Sequence, residues 1–252
     1  MNNTTRFTNR AENYARYRPG YPAGILPYLT SRIQLNAGHT IADIGAGTGI
    51  SSLLFLKNGH TVYGVEPNDA MRAKAEFLLH QYDGFHPVKG AAEHTNLPDN
   101  SVDIVLAGQS FHWFNQQESK LEFQRIAKKD AYIILMWNVR ELSTGFAKAY
   151  EKLLATFGTD YSDDGRDVAA EKKTTAFFAP CPFEKVVFSS TEVLDYETLK
   201  GRLLSTSFVP AEDDVKSIPM LQLLDSIFEE YQQEGKVSFD YTTTLYIAKA
   251  HC

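Results

Sequence analysis

Cysteine is nearly absent from this chain: Cys181 and Cys252 are the only two in 252 residues, 71 positions apart and without a Cys-x-x-Cys spacing. Neither a disulfide framework nor a thiolate metal site is expected, and no metal ligands are assigned. Long apolar runs are missing as well, since no stretch approaches the roughly 20 residues that span a bilayer. The start Met1-Asn-Asn-Thr-Thr has neither the basic nor the apolar region of a signal peptide. A soluble cytoplasmic protein with no membrane partner is the expectation, as a monomer or homodimer. Clustered positive charge is equally scarce. The formal charge is -6, and the only adjacent basic pairs are Lys128-Lys129 and Lys172-Lys173. Neutralising phosphates takes clustered Lys and Arg, so nucleic acid is not an expected partner.

What is present is a glycine turn in a telling place. Ile41-Ala-Asp43-Ile-Gly45-Ala-Gly47-Thr-Gly49, followed by Val62-Tyr-Gly-Val65-Glu66, reads as strand, turn, helix, strand and acidic terminus. That is the order of a nucleotide-binding βαβ unit. Glycines let a ligand approach the backbone closely, and Glu66, 17 residues past Gly49, is suited to ribose hydroxyls. A dinucleotide fingerprint wants a further glycine where Ile50 stands. Asp43 beside the turn would repel a pyrophosphate but suits an amino-acid ammonium and a cationic sulfonium. The pattern resembles the class I S-adenosylmethionine-dependent methyltransferases. That resemblance implies S-adenosylmethionine as cofactor, with Asp43, Gly45, Ala46, Gly47, Gly49, Glu66, Pro67 and Met71 around it.

The rest of the chain supports a single α/β core with elaborations. Strands are expected over Thr61–Glu66, near Phe85–Lys89, over Val102–Ala107 and over Ala131–Trp137, with helices after Ile50, after Asn68 and over Glu118–Ala127. Continuous apolar runs of this kind suit a parallel sheet covered on both faces. Later, Val186-Val-Phe188 and Thr242–Ala248 read as strands. Ser217 to Glu234 carries Ile218, Leu221, Leu224, Ile227, Phe228 and Tyr231 at helical spacing, ending at Gly235. The division expected is a helical flap over 1–38, a Rossmann-like core over 39–140, an insertion over 141–183, and closing strands with a helical cap over 184–252. The family resemblance implies a doubly wound seven-stranded sheet whose last strand is antiparallel.

Three further segments carry candidate chemistry. Gly90-Ala-Ala-Glu93, running on to Leu97-Pro98 and Asp103, resembles an adenine-rim segment of small-molecule methyltransferases, implying that Ala91 and Ala92 meet the adenine. Ala91 stands where that family often has an aspartate, so its hydrogen bond is absent or supplied by Glu93. Gln109-Ser-Phe-His112-Trp113-Phe resembles a segment of the trans-aconitate methyltransferase-like (type 11) branch. It offers Gln109 to the cofactor, an aromatic wall to the sulfonium, and His112 as base or substrate contact. The flap, with Phe7, Arg10, Tyr14 and Tyr17-Arg18-Pro-Gly-Tyr-Pro22, is similar to that branch's lid, implying Arg18 at a carboxylate of the cofactor or substrate. Tyr17, Trp113, Asn138 and Arg140 complete the expected substrate contacts.

The resulting expectation is methyl transfer from S-adenosylmethionine to a small molecule, with a carboxylate as one candidate acceptor. Two alternatives stay open at this point: a protein that binds the donor without turnover, and an NAD-dependent oxidoreductase.

Overall fold

The computed structural model describes residues 16–159 and 166–252. Phe7, Arg10 and Tyr14 of the expected flap, and most of the polar stretch after Thr159, lie outside them.

The core alternates as the hydrophobic pattern requires. Helix α1 (Ile25–Ile33) leads into β1 (Thr40–Ile44), α2 (Ile50–Leu56), β2 (Thr61–Val65), α3 (Asp69–Leu79) and β3 (Phe85–Val88). Next come β4 (Val102–Gly108), a short 3-10 turn (Phe111–Trp113), α4 (Gln116–Ile126) and β5 (Ala127–Arg140). The strands order as β3-β2-β1-β4-β5-β7-β6 in one seven-stranded sheet, with β7 (Val237–Lys249) antiparallel to both β5 and β6 (Phe183–Leu194). The order reverses at β1, which pairs in parallel with both β2 and β4. Beyond the carboxyl ends of the strands at such a reversal is where α/β sheets hold ligands.

Alternate residues of each strand feed two separate cores. Ile41, Val62, Ile104, Leu106, Ile134 and Met136 pack under α1 and α2, while Ala42, Ile44, Val105, Ile133 and Leu135 pack with Phe123 and Ile126 of α4. A third core stands above the sheet. Phe146, Tyr150 and Leu153 of α5 (Gly145–Phe157) meet Leu199 and Leu203 of α7 (Tyr196–Leu204). Met220, Leu224 and Phe228 of α8 (Ser217–Tyr231) join them against Phe239 and Tyr241 of β7. Two of its helices, α7 and α8, come from the segment 184–252, where a helical cap is the expectation. Its helix α5 belongs to the segment after β5, whereas Phe177 and Phe178 of α6 (Arg166–Phe178) return to the lower core beside α4.

Some expectations need correction. The strand expected at Val186–Phe188 runs for 12 residues as an edge whose outward positions are exposed. Ile218 is 56% exposed, because α8 buries the stripe of Met220, Leu224 and Ile227 instead. Gly235 does not end that helix; it takes φ +74° in the turn that follows Gln232. The two cysteines are paired, with Cα atoms 5.7 Å apart. The cause lies in the sheet: antiparallel register sets Phe183 opposite Ala248, which brings together two positions that are 71 residues apart.

Candidate active site

Asp43 is the next-to-last residue of β1 and has no solvent exposure. Its Oδ2 accepts hydrogen bonds from Ser51 Oγ at 2.6 Å and Ser52 Oγ at 2.7 Å, both in the first turn of α2. Its Oδ1 is buried and meets no donor among the described residues. Burial pushes the carboxyl up to about 6, with the two serines only partly offsetting it. An aspartate left half-satisfied at a strand end is a place for a cation or a donor group to bind.

The three glycines of the corner have separate jobs, which refines the expectation that all three bare the backbone to ligand. A Cβ on Gly45 would stand 2.6 Å from Ser110 Cβ, and one on Gly49 2.4 Å from Leu79 Cδ1, so those two serve protein packing. At Gly47, with φ +58°, a Cβ would meet only Met71 Cε at 3.4 Å. The exposed main chain of the corner is therefore at Gly47. Its N–H donates to Glu66 Oε2 at 2.9 Å, and Glu66 Oε1 accepts from Asn68 N at 2.9 Å. Asn68 also caps α3 by accepting from Ala70 N and Met71 N. Burial raises the Glu66 pKa against those backbone bonds. Each of its oxygens retains acceptor capacity for a ribose hydroxyl. Corner, buried aspartate and second-strand carboxylate together fit an adenosyl amino acid.

Glu66→Ala removes the carboxylate expected to accept from the ribose and also strands the Gly47 and Asn68 amides. Binding of S-adenosylhomocysteine should weaken by about 1 to 3 kcal/mol. Calorimetric titration checks this, and an unchanged dissociation constant takes Glu66 out of the site.

The segment expected at the adenine is held from behind by a residue that local spacing did not expose. Ala91 and His94 close a tight bridge, and Glu122 on α4 accepts from Thr95 N at 2.7 Å and Thr95 Oγ1 at 2.6 Å. Burial would raise the Glu122 pKa, but Arg125 and Thr95 bring it down to about 2. Ala92 is buried and Ala91 half-buried at this rim. Glu93 has one oxygen committed to Asn115 N at 2.7 Å, at the start of α4, because that helix also needs a partner for its first amides.

At the end of β4, Gln109 takes φ +56° and its Nε2 donates to Asn138 O at 2.6 Å, tying β4 to β5. Phe111 is core, whereas His112 is exposed with its ring 4.6 Å from Trp113 and 5.6 Å from Trp137. Trp113 is 40% exposed. Phe114 turns back toward the corner, 3.5 Å from where a Gly45 Cβ would stand.

The flap is hooked by its backbone. Arg202 Nε donates to Tyr17 O at 2.7 Å, and Asn138 Nδ2 donates to Gly20 O at 3.3 Å. Tyr17, expected at the substrate, instead lays its ring in the notch of Gly201, where even a Cβ would come within 2.3 Å of it. Arg18 Nη2 reaches Ser205 O at 3.4 Å, at the end of α7. Tyr21 of the flap reaches the end of β4: its hydroxyl lies 2.7 Å from where a Gly108 Cβ would be, a position 3.1 Å from Ser51 Cβ. Arg140 pairs with Glu151 of α5 at 2.5 Å. Tyr21, Ser51, Ser52 and Glu122 are thus the additions to the sequence-derived set. A serine pair in the first turn after a glycine corner was the available signal for two of them.

A surface groove of about 520 Å³, lined by Arg32, His39, Lys128, Lys129 and Lys249, opens elsewhere. It lies at the amino ends of the strands, opposite the corner, where sheets of this type do not hold their ligands.

Comparison with known proteins agrees with this geometry. Residues 42–135 match the family model described as a methyltransferase domain. An uncharacterized methyltransferase of Schizosaccharomyces pombe is 25% identical over 247 residues, 95% of each chain. Another, from Mycobacterium tuberculosis, is 29% identical over 150 residues, 60% of this chain and 59% of the relative. Among solved structures, a type II methyltransferase candidate from Anaeromyxobacter dehalogenans superposes with a TM-score of 0.68 at 20% identity, covering 93% of this chain and 99% of its own. The YcgJ protein from Bacillus subtilis gives 0.57 at 18% identity, over 91% and 98%. Those two establish the fold, and the matched domain spans β1 through most of β5 with the whole glycine corner. The chain carries a methyltransferase domain over residues 42–135, and its similarity to methyltransferases along most of its length supports an S-adenosylmethionine-dependent enzyme of class I.

Proposed function

We propose that the enzyme methylates a small molecule, and that the accepting atom is a carboxylate oxygen. The observation that supports this is how the two carboxylates of the corner are occupied. Asp43 is buried under two serines and Glu66 is held by two backbone amides, so neither is placed to take a proton from an acceptor. A carboxylic acid is already ionised at neutral pH and needs no base. When bound, the donor supplies a methyl group on a positively charged sulfur, so transfer to a carboxylate yields a neutral ester and a neutral thioether with no proton to move. The protein's own share is to hold, align and shield the two partners. Asp43, Gly47 and Glu66 would fix the donor. The flap, joined to the cap through Arg202 and to β5 through Asn138, would exclude water and limit the acceptor to a small size. His112 would serve as a base only for an amine or phenol.

The test is incubation with isotopically labelled S-adenosylmethionine and a panel of small acids, amines and phenols, read by mass spectrometry. Labelled esters from the acids are expected. Label found only on amines or phenols would overturn the carboxylate reading, and no transfer by a protein that binds S-adenosylhomocysteine would overturn turnover itself. We also place the enzyme in the cytoplasm. No described helix is long and apolar enough to cross a membrane. Because a Cys181–Cys252 bond persists only under oxidising conditions, alkylation in the cell should find both thiols reduced.

A further inference from the structure

We propose that Cys252 and Cys181 form a reversible thiol–disulfide exchange site. A small disulfide such as oxidised glutathione reacts first at the exposed Cys252, and Cys181 then displaces it. The bond so formed ties the end of α6 against the turn that carries His112 and Trp113. The inference holds whatever acceptor is methylated.

Both cysteines sit on segments that other contacts already fasten. Past β7, Ala250 N donates to Ala131 O at 2.9 Å, and Gln124 Nε2 of α4 donates to Ala250 O at 3.2 Å. His251 Nε2 lies 3.3 Å from Ala127 O. Past α6, Cys181 N donates to Phe178 O at 2.8 Å, and Lys120 Nζ of α4 donates to Ala179 O at 2.5 Å. Antiparallel register sets Phe183 opposite Ala248 and brings the two segments side by side. The Cα atoms stand 5.7 Å apart, inside the range of roughly 4.4 to 6.8 Å that a disulfide spans. Because hydrogen bonds hold both segments without help from sulfur, the thiols of the reduced enzyme remain within bonding reach.

Access to the two sulfurs is unequal, and that sets the order of events. Cys252 is exposed, whereas Cys181 is buried and open mainly to its neighbour. The Cys252 thiolate attacks one sulfur of oxidised glutathione, whose disulfide bond breaks and releases one glutathione thiolate. The Cys181 thiolate then attacks the Cys252 sulfur of the mixed disulfide and expels the second glutathione. The protons given up by the two cysteines end on the two glutathione thiols. The enzyme is oxidised by two electrons as the small disulfide is reduced. In a compartment that keeps thiols reduced, the bond is open at rest and closes when oxidised glutathione accumulates.

A chain of aromatic contacts links this bond to the candidate active site. The Phe178 ring lies 5.5 Å from Phe183, and the Phe177 ring lies 4.8 Å from Phe111 and 5.9 Å from Phe123. Phe111 opens the 3-10 turn that continues as His112 and Trp113, and Trp137 stands 6.5 Å from it. Closing the bond fixes the end of α6 to the end of β7 and keeps Phe177 packed on that turn. Both tryptophans of the chain belong to this group, so their fluorescence reports on it.

The test equilibrates the purified full chain over a series of reduced-to-oxidised glutathione ratios, then alkylates and weighs it. Wild type should pass from two alkylated cysteines to an internal disulfide, in both directions, and retain no glutathione. Cys181→Ser should keep glutathione on Cys252, while Cys252→Ser should keep at least about tenfold less on the buried Cys181. Closing a loop of 71 residues should raise the melting temperature of the oxidised form by about 5 to 15 °C. Acrylamide should quench the tryptophan fluorescence of the reduced form more steeply. Affinity for S-adenosylhomocysteine should differ by no more than about twofold between the two forms, as for a distant site. A bond that survives excess reduced glutathione, glutathione retained on wild type, an unmodified Cys252 in Cys181→Ser, or equal quenching of both forms would each overturn the proposal. The oxidised–reduced comparison uses wild type alone and stands even if a variant does not fold.

Discussion

Asp43→Asn is expected to raise the melting temperature of the ligand-free enzyme while weakening its hold on the donor. The Asp43 carboxyl is buried, and burial lifts its pKa to about 6 against the pull of Ser51 and Ser52. A carboxyl whose folded pKa lies above its unfolded value of about 3.9 favours folding fully only below the latter, and that advantage is lost as pH rises through the folded value. At neutral pH the buried charge therefore costs the fold up to about 3 kcal/mol, at about 1.4 kcal/mol per pKa unit. Asparagine keeps the shape, and its amide oxygen can still accept from both serines. Recovering even half of that cost should raise the melting temperature by several degrees, at about 2 to 4 °C per kcal/mol for a chain of this size. Donor binding should move the other way, because the amide lacks the charge that faces the amino-acid end of the ligand; about tenfold to a hundredfold is expected, as for a hydrogen bond to a charged group.

The same group fixes a pH dependence. Bound cation favours ionised Asp43, so wild-type affinity for S-adenosylhomocysteine should fall below pH 6 by at most about tenfold per unit, and in Asp43→Asn it should be flatter. Scanning calorimetry and titrations from pH 5 to 8 check both parts. A variant that melts lower and binds normally would remove Asp43 from the site.

Gly47→Val should abolish donor binding and leave the fold intact. Its φ of +58° strains any β-branched side chain, and left-handed backbone costs about 1 to 2 kcal/mol for such a residue. That is a fraction of the roughly 5 to 15 kcal/mol by which domains are stable. Inside the protein there is room, since the new Cβ would only touch Met71 Cε at 3.4 Å. The isopropyl group would instead fill the space over the main chain that the ligand must use. Circular dichroism should show native helix content and a cooperative melt, while titration shows no heat with S-adenosylhomocysteine. Gly49→Val is the contrast, because a Cβ 2.4 Å from Leu79 strikes packing between α2 and α3 and should destabilise the fold first. Full affinity in Gly47→Val would refute the close-approach argument.

The parts of this enzyme that were legible in the sequence are those written in local spacing. Asp43, Gly47 and Glu66 occupy one βαβ unit, where strand alternation and a glycine turn leave few geometries. The parallel strands were legible because both faces are covered and their residues are apolar throughout. Edge strand β6 was only glimpsed, since its outward positions Lys185, Ser189 and Thr191 dilute the apolar pattern. The cap was seen as helices but not as one core. Phe146, Leu199 and Phe239 come from three distant segments and meet only once the sheet exists. Long-range pairing also hid the clamp of Glu122 on Thr95, the seat of Tyr17 on Gly201 and the meeting of Cys181 with Cys252. The seat of Tyr17 on Gly201 is not legible locally, because an aromatic flap looks the same in sequence whether its ring faces a ligand or a helix notch.

The decisive measurement is a crystal structure of the enzyme grown with S-adenosylhomocysteine. The amino-acid end should lie over the Gly47 main chain beside Asp43, with the ribose hydroxyls on Glu66 and the adenine against Ala91 and Ala92. Density for the ligand in any other place, such as the groove beside Lys129, with the Gly47 corner empty, would contradict the assignment of this site.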